Sequence, residues 1–201
     1  MEKNKKIILG VIIIIIVAVG SYITYEWYMN TNFENNLKEA NSYANERVDT
    51  HNEVSADSET MFTTQKEGSR IITDIIKNID EIIKSTDNEI TKLEEAKNYA
   101  QAPAEKKYIE LQLKIKNNYK KAYELMKEWY NYRVKEVQIS ILSENYVDER
   151  EEIVNKTEKL NNESEKNIKE INKLLKDNPD LKQKLEKLHL KDSYIGETNT
   201  V

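Results

Sequence analysis

The sequence predicts an all-α protein: an N-terminal transmembrane helix followed by an elongated antiparallel three- or four-helix bundle of coiled-coil-like character. Three observations predict it. The 201 residues include only 4 Gly and 2 Pro, where average usage gives about 14 and about 10. Strand-rich folds and phosphate-cradling loops place those residues at their turns, so a chain this poor in them has few turns. Residues 7–23 carry no charge at all. Behind them, apolar side chains recur at spacings of three and four, the period of one helix face.

The N-terminal stub, residues 1–6, carries Lys3, Lys5 and Lys6. The anchor follows at residues 7–25, beginning Ile-Ile-Leu-Gly-Val and running through an isoleucine stretch to Ile23. The seventeen uncharged residues give about 26 Å of helix, and Thr24 and Tyr25 bring it near the roughly 30 Å of a hydrocarbon core. No basic residue follows until Lys38. The positive-inside rule therefore puts the N-terminus in the cytoplasm and the rest of the chain outside. Tyr22, Tyr25, Trp27 and Tyr28 stand where an interfacial aromatic belt belongs. The expected lipid-interface residues are thus Lys3, Lys5, Lys6, Tyr22, Tyr25, Trp27 and Tyr28. A competing reading takes Ala18-Val19-Gly20 as a small-x-small cleavage site and the mature chain as secreted.

The extracytoplasmic domain, residues 26–190, reads as five helical stretches. The first, 26–66, has a weak stripe of Phe33, Leu37, Ala40, Ala44 and Val48, then Val54 and Met61/Phe62. Gly68-Ser69 reads as a stop followed by a cap. The second, 69–100, is the clearest: Ile72, Ile75, Ile79, Ile82, Thr86, Ile90, Leu93, Ala96 and Ala100 fill one arc, widened by Ile76 and Ile83. Ala102-Pro103 breaks it, because proline fits a first helical turn and disfavours helix in the residue before it.

The third stretch, 103–146, has a main stripe of Tyr108, Leu111, Ile115, Tyr119, Ala122, Met126, Trp129, Arg133, Val137 and Ile141. Its short connection to the second stretch predicts an antiparallel hairpin. Asp148 reads as the cap of a fourth stretch, 148–177, which turns Ile153, Thr157, Leu160, Ser164, Ile168, Ile171 and Leu175 inward. The third and fourth could also run as one helix. Asn178-Pro179 opens a short fifth stretch, 179–190, with Leu181, Leu185 and Leu188. Residues 191–201 read as a disordered tail.

Chemistry is scarce. With no Cys, thiol nucleophiles, disulfides and cysteine-ligated metals are excluded. Glu186 and His189 have the spacing of the Glu-x-x-His of di-iron bundles, but the only other histidine, His51, follows Val48 and not a glutamate. No catalytic residue, metal site or cofactor is expected, and the chain reads as a non-enzyme. A net charge of −5 without a concentrated basic face argues against nucleic acid.

Two constellations on the third stretch invite a binding role. Tyr119, Tyr123, Trp129 and Tyr130 are aromatic side chains with polar tips, suited to lining a small-ligand or glycan site. Leu125, Tyr132, Ile139 and Tyr146 form a second line at seven-residue spacing on roughly the opposite face. That line fits either a second neighbour within the bundle or a surface for a partner. The expected function is a membrane-anchored interaction or scaffold module whose partners are the bilayer and another envelope or membrane protein, or a second copy. The alternative is a ligand-binding bundle.

Overall fold

The computed structural model describes the backbone of residues 2–58, 64–139 and 144–190, and the side chains of residues 17–58, 64–135 and 147–190. Among the described residues the secondary structure is entirely helical: α1 (Glu2–Ser58), α2 (Gln65–Tyr99), α3 (Pro103–Ile139), α4 (Glu144–Asp177) and α5 (Pro179–Glu186).

Successive long helices are antiparallel neighbours. The pairings Tyr28 with Tyr99, Lys92 with Glu39 and Arg47 with Glu89 run in opposite directions along α1 and α2. Lys97–Glu110 and Lys127–Asp80 do the same for α2 and α3. Lys107–Glu170 and the Asn118–Leu160 hydrogen bond do so for α3 and α4. α3 therefore has α2 on one side and α4 on the other.

One apolar cluster joins all five helices at the end of the bundle from which the N-terminal part of α1 leaves, here called the base. It contains Phe33 and Leu37 of α1, Leu93 and Ala96 of α2, Tyr108 and Leu111 of α3, Ile171 and Leu175 of α4, and Leu181 and Leu185 of α5. A second cluster lies toward the far end. There Val54 of α1 packs on the isoleucines Ile71, Ile75, Ile79 and Ile82 of α2, with Tyr123, Met126 and Tyr130 of α3 against them. Each fully buried isoleucine of that row contributes about 1.5–3 kcal/mol by leaving water.

Several helix ends differ from the sequence reading. α2 starts at Gln65, four residues before the expected Ser69, because the Thr64 hydroxyl accepts the Glu67 N–H at 3.2 Å. Thr64-x-x-Glu67 is a capping signature, and Gly68 lies buried inside the helix instead of ending one. α4 starts at Glu144, so Asp148 stands inside it and caps nothing. α3 and α4 are separate helices. The break at Pro103 is where the sequence puts it, and the turn is tied by the Glu105 carboxylate, which accepts from the N–H groups of Gln101 and Ala102 at 2.8 and 3.1 Å. Asn178 precedes Pro179 as expected but donates its side-chain amide back to the Leu174 carbonyl at 2.8 Å. Met61, Phe62, Ile141 and the tail 191–201 lie outside the described residues, as does the side chain of Val137.

Among the described residues no helix is long and apolar enough to cross a membrane. The side chains of residues 7–16, which hold most of the uncharged run, lie outside them. The backbone of α1 is one helix of 57 residues, about 85 Å long at the usual rise.

Candidate functional site

Two places gather side chains singled out by the sequence, and a third gathers buried charges that it did not single out. The first is the part of α1 that extends past the base. Tyr28 packs edge-on against Tyr99, the last residue of α2, with ring centres 6.0 Å apart. Among the described side chains, the apolar ones of residues 17–27 of α1 are left uncovered: Val17 is 61% exposed, Trp27 is 67% exposed, and Val19, Tyr22, Ile23 and Tyr25 are similarly bare. The Tyr22 hydroxyl donates to Glu26, and the Thr24 hydroxyl donates back to the Gly20 carbonyl at 2.9 Å, both within the same helix. Gly20 lies within the helix with open space around it. The side chains of Lys3, Lys5 and Lys6 lie outside the described residues.

The second place is the tyrosine-bearing face of α3. The sequence brackets Tyr119, Tyr123, Trp129 and Tyr130 together, but the tertiary structure distributes them. The Tyr119 ring lies under two cations, the Arg47 guanidinium at 5.3 Å and Lys116 Nζ at 5.6 Å from its centre. One turn further on, the Tyr123 hydroxyl is 3.3 Å from Nδ1 of His51 on α1, and their rings meet edge to face. Burial, and then the charge of Arg47, hold the His51 imidazole below its ordinary value. Burial pushes the phenols of Tyr119, Tyr123 and Tyr130 up, so all three remain protonated at neutral pH.

Trp129 and Tyr130 border a cavity. They line an open groove of about 450 Å³ between α3 and α4 with Met126, Ile153, Val154 and Thr157. The two rings are edge to face at 4.9 Å, and the guanidinium groups of Arg133 and Arg150 lie 5.7 and 5.9 Å from the Trp129 ring centre.

The second line of α3 falls on its α4 side. Leu125 is half-buried and lines a groove with Leu160 and Lys156 of α4. Tyr132 is half-buried, 3.5 Å from Glu128 and close enough to Glu149 of α4 for that carboxylate to raise its phenol, behind burial as the larger cause. The side chains of Ile139 and Tyr146 lie outside the described residues.

The third place was not foreseen. Arg47 of α1, Glu89 of α2 and Lys116 of α3 meet in the core between the two apolar clusters. Glu89 and Lys116 have no solvent exposure, and Lys116 Nζ is 2.9 Å from Glu89 Oε1 while Arg47 holds Oε2. Gln112, also fully buried, donates to the Tyr108 hydroxyl at 3.3 Å, and burial drives that phenol far above its usual range. The stripe reading put Val48 and Ile90 inward. Instead Val48 is 37% exposed while Arg47 is 5% exposed, and Ile90 is half-buried beside the fully buried Glu89. Pattern reading assigns charges to the solvent face, so it shifts the stripe by one residue wherever charges are paired inside.

Glu186 and His189 form no site. Glu186 pairs with Lys182 at 3.7 Å, and His189 takes φ 51° in the turn that ends α5. Among the described residues no group of three or more His, Asp or Glu side chains is placed to hold a metal ion. Comparison with known proteins finds no matching family model, no matching curated protein and no matching solved structure.

Proposed function

We propose that the chain is a single-pass membrane-anchored protein whose helical bundle stands outside the membrane and acts, without catalysis, as a scaffold that holds another protein of the cell envelope. The observation that carries this reading is the bare end of α1. A helix that enters the bundle core at Phe33 continues outward with Val17, Val19, Ile23 and Trp27 uncovered. Large exposed apolar surfaces call for a partner, and the sequence continues this one into the uncharged run of residues 7–16. Lipid is the occupant that fits a helix without charges and an aromatic girdle at its end.

The ligand-binding alternative loses support from the dispersion of the tyrosines: Tyr119 and Tyr123 take part in core packing with Arg47 and His51. Trp129 and Tyr130 border an open groove instead.

Expression of the full chain with a reporter after Val201 tests the topology. The reporter should be active only outside the cytoplasm, and the protein should resist alkaline carbonate extraction from membranes. Cytoplasmic reporter activity, or release by carbonate, would sink the reading. N-terminal sequencing that begins at Ser21 would replace the anchor by a cleaved, secreted form. The scaffold role is tested by crosslinking the anchored protein in intact cells: one recurrent envelope partner is expected, and its absence would leave the anchor without the scaffold.

A further inference from the structure

We propose that the base of the bundle rests on the bilayer and binds anionic lipid headgroups through its lysines, an inference that builds on the membrane-anchored reading above. Three observations meet here. The first is position. α5 is pinned at the base: Lys184 donates to Asn30 at 2.9 Å and to Glu105 at 2.8 Å, its ammonium lies 4.6 Å from the centre of the Phe33 ring, and Leu181 and Leu185 are buried. Asn30 and Phe33 follow Trp27 by only three and six residues, hence about 4.5 and 9 Å along the helix axis. α1 is unbroken between them. If the aromatic girdle marks the interface, α5 is held at headgroup height.

The second observation is charge. The base comprises residues 26–33, 96–111 and 166–190, and these carry ten lysines against seven carboxylates, a net +3. Residues 34–95 and 112–165, which lead away from the base, carry 26 carboxylates against 17 cationic side chains, a net −9. A protein that is acidic overall is thus basic at one end. The third observation is accessibility. Lys106 of α3, Lys173 and Lys176 of α4, and Lys182 and Lys187 around α5 are exposed.

The physics favours contact. The potential of an anionic bilayer decays over a Debye length, about 8 Å at physiological ionic strength. The lowest part of the base, α5 and the adjoining helix ends, lies within that layer, while Lys166, eleven residues before the end of α4, stands about 16 Å above that end. The far end of α1 at Ser58 is about 38 Å beyond Phe33, where the acidic charge feels little of the field. The surface therefore attracts the base and does not penalise the acidic end, which holds the bundle upright.

The test uses the full chain in vesicles, with a spin label on Gln183→Cys. Gln183 is exposed on α5 and the chain has no other cysteine. The collision rate of the label with a nickel-chelating headgroup lipid is read in phosphatidylcholine alone and with phosphatidylglycerol added. The rate should rise severalfold with phosphatidylglycerol, fall back in high salt, and lose its lipid dependence in the Lys106→Glu, Lys176→Glu, Lys187→Glu variant. A rate equal in both lipids, or a triple variant that behaves like the parent, would overturn the proposal. Should the triple variant misfold, the salt titration of the parent carries the same decision. A chain released from the vesicles by carbonate would overturn the anchor and this inference together, whereas a retained chain without lipid dependence would overturn this inference alone.

Discussion

Glu89 of α2 and Lys116 of α3 face each other at 2.9 Å with no solvent contact on either side chain, and Arg47 of α1 completes the group from the opposite carboxylate oxygen. Three helices each contribute one charge to a single point in the core. An alternative stagger of α1, α2 and α3 would leave at least one of these charges buried alone, so the trio favours the observed register.

Removing one member should therefore cost far more than removing all three. Glu89→Leu is expected to destabilise the protein by about 3–5 kcal/mol, because two cations stay buried without their anion. The triple change Arg47→Met, Glu89→Leu, Lys116→Leu should recover most of that loss. Urea unfolding of the full chain in detergent, followed by circular dichroism, reads both. A triple variant as unstable as the single one would show that the trio is no compensated unit.

Ile79 is fully buried in the isoleucine row that packs on Val54. Ile79→Ala should cost about 2–5 kcal/mol through lost burial and the cavity left behind, and Ile79→Asp should cost more by burying an unpaired charge. An unchanged melting temperature in either variant would mean that this row is not core.

Leu125 and Tyr132 lie half-buried on the α4 side of α3. Changing both to Ser should lower stability by about 1–3 kcal/mol and leave the sedimentation mass of the detergent-solubilised protein unchanged. Loss of a dimer at constant melting temperature would instead make this line an interface between copies.

His51 links stability to pH. Its imidazole is held below the ordinary value by burial and by Arg47, so the unfolded chain binds the proton more readily than the folded one. The stability difference is fully present above about pH 6.5 and is lost as pH falls through the depressed folded value. Thermal stability should therefore fall below about pH 6.5, and His51→Gln should flatten that slope. A slope unaltered in the variant would assign the acid sensitivity elsewhere.

Glu105 acts in a lower window. Burial pushes its carboxyl up, but the Lys184 ammonium and the N–H groups of Gln101 and Ala102 outweigh it and hold the group below the ordinary carboxylate value. Its contribution is complete above about pH 4.5 and disappears as pH falls through the lowered value. Glu105→Gln should lower the melting temperature at neutral pH and converge with the parent in strong acid. Parallel curves at all pH values would exclude this linkage.

The sequence by itself determined the helical class, the break at Pro103, the start of α5 at Pro179 and the inward rows Phe33–Leu37–Ala40–Ala44 and Ile75–Ile79–Ile82. Those features follow from local rules: proline geometry and the 3.6-residue period act within one helix. The α2 start was also written locally, in Thr64-x-x-Glu67, where a glycine–serine pair suggested a later one. Only the tertiary structure decided that Arg47, Glu89 and Lys116 lie inside, that the tyrosines of α3 are shared among several environments, and that α5 folds back to Asn30. A charge can be buried when its partner arrives from another helix, and that partner stands 27 or 42 residues away in the chain. Periodicity within one segment holds no record of such a meeting, because the compensating energy exists only once the helices are side by side.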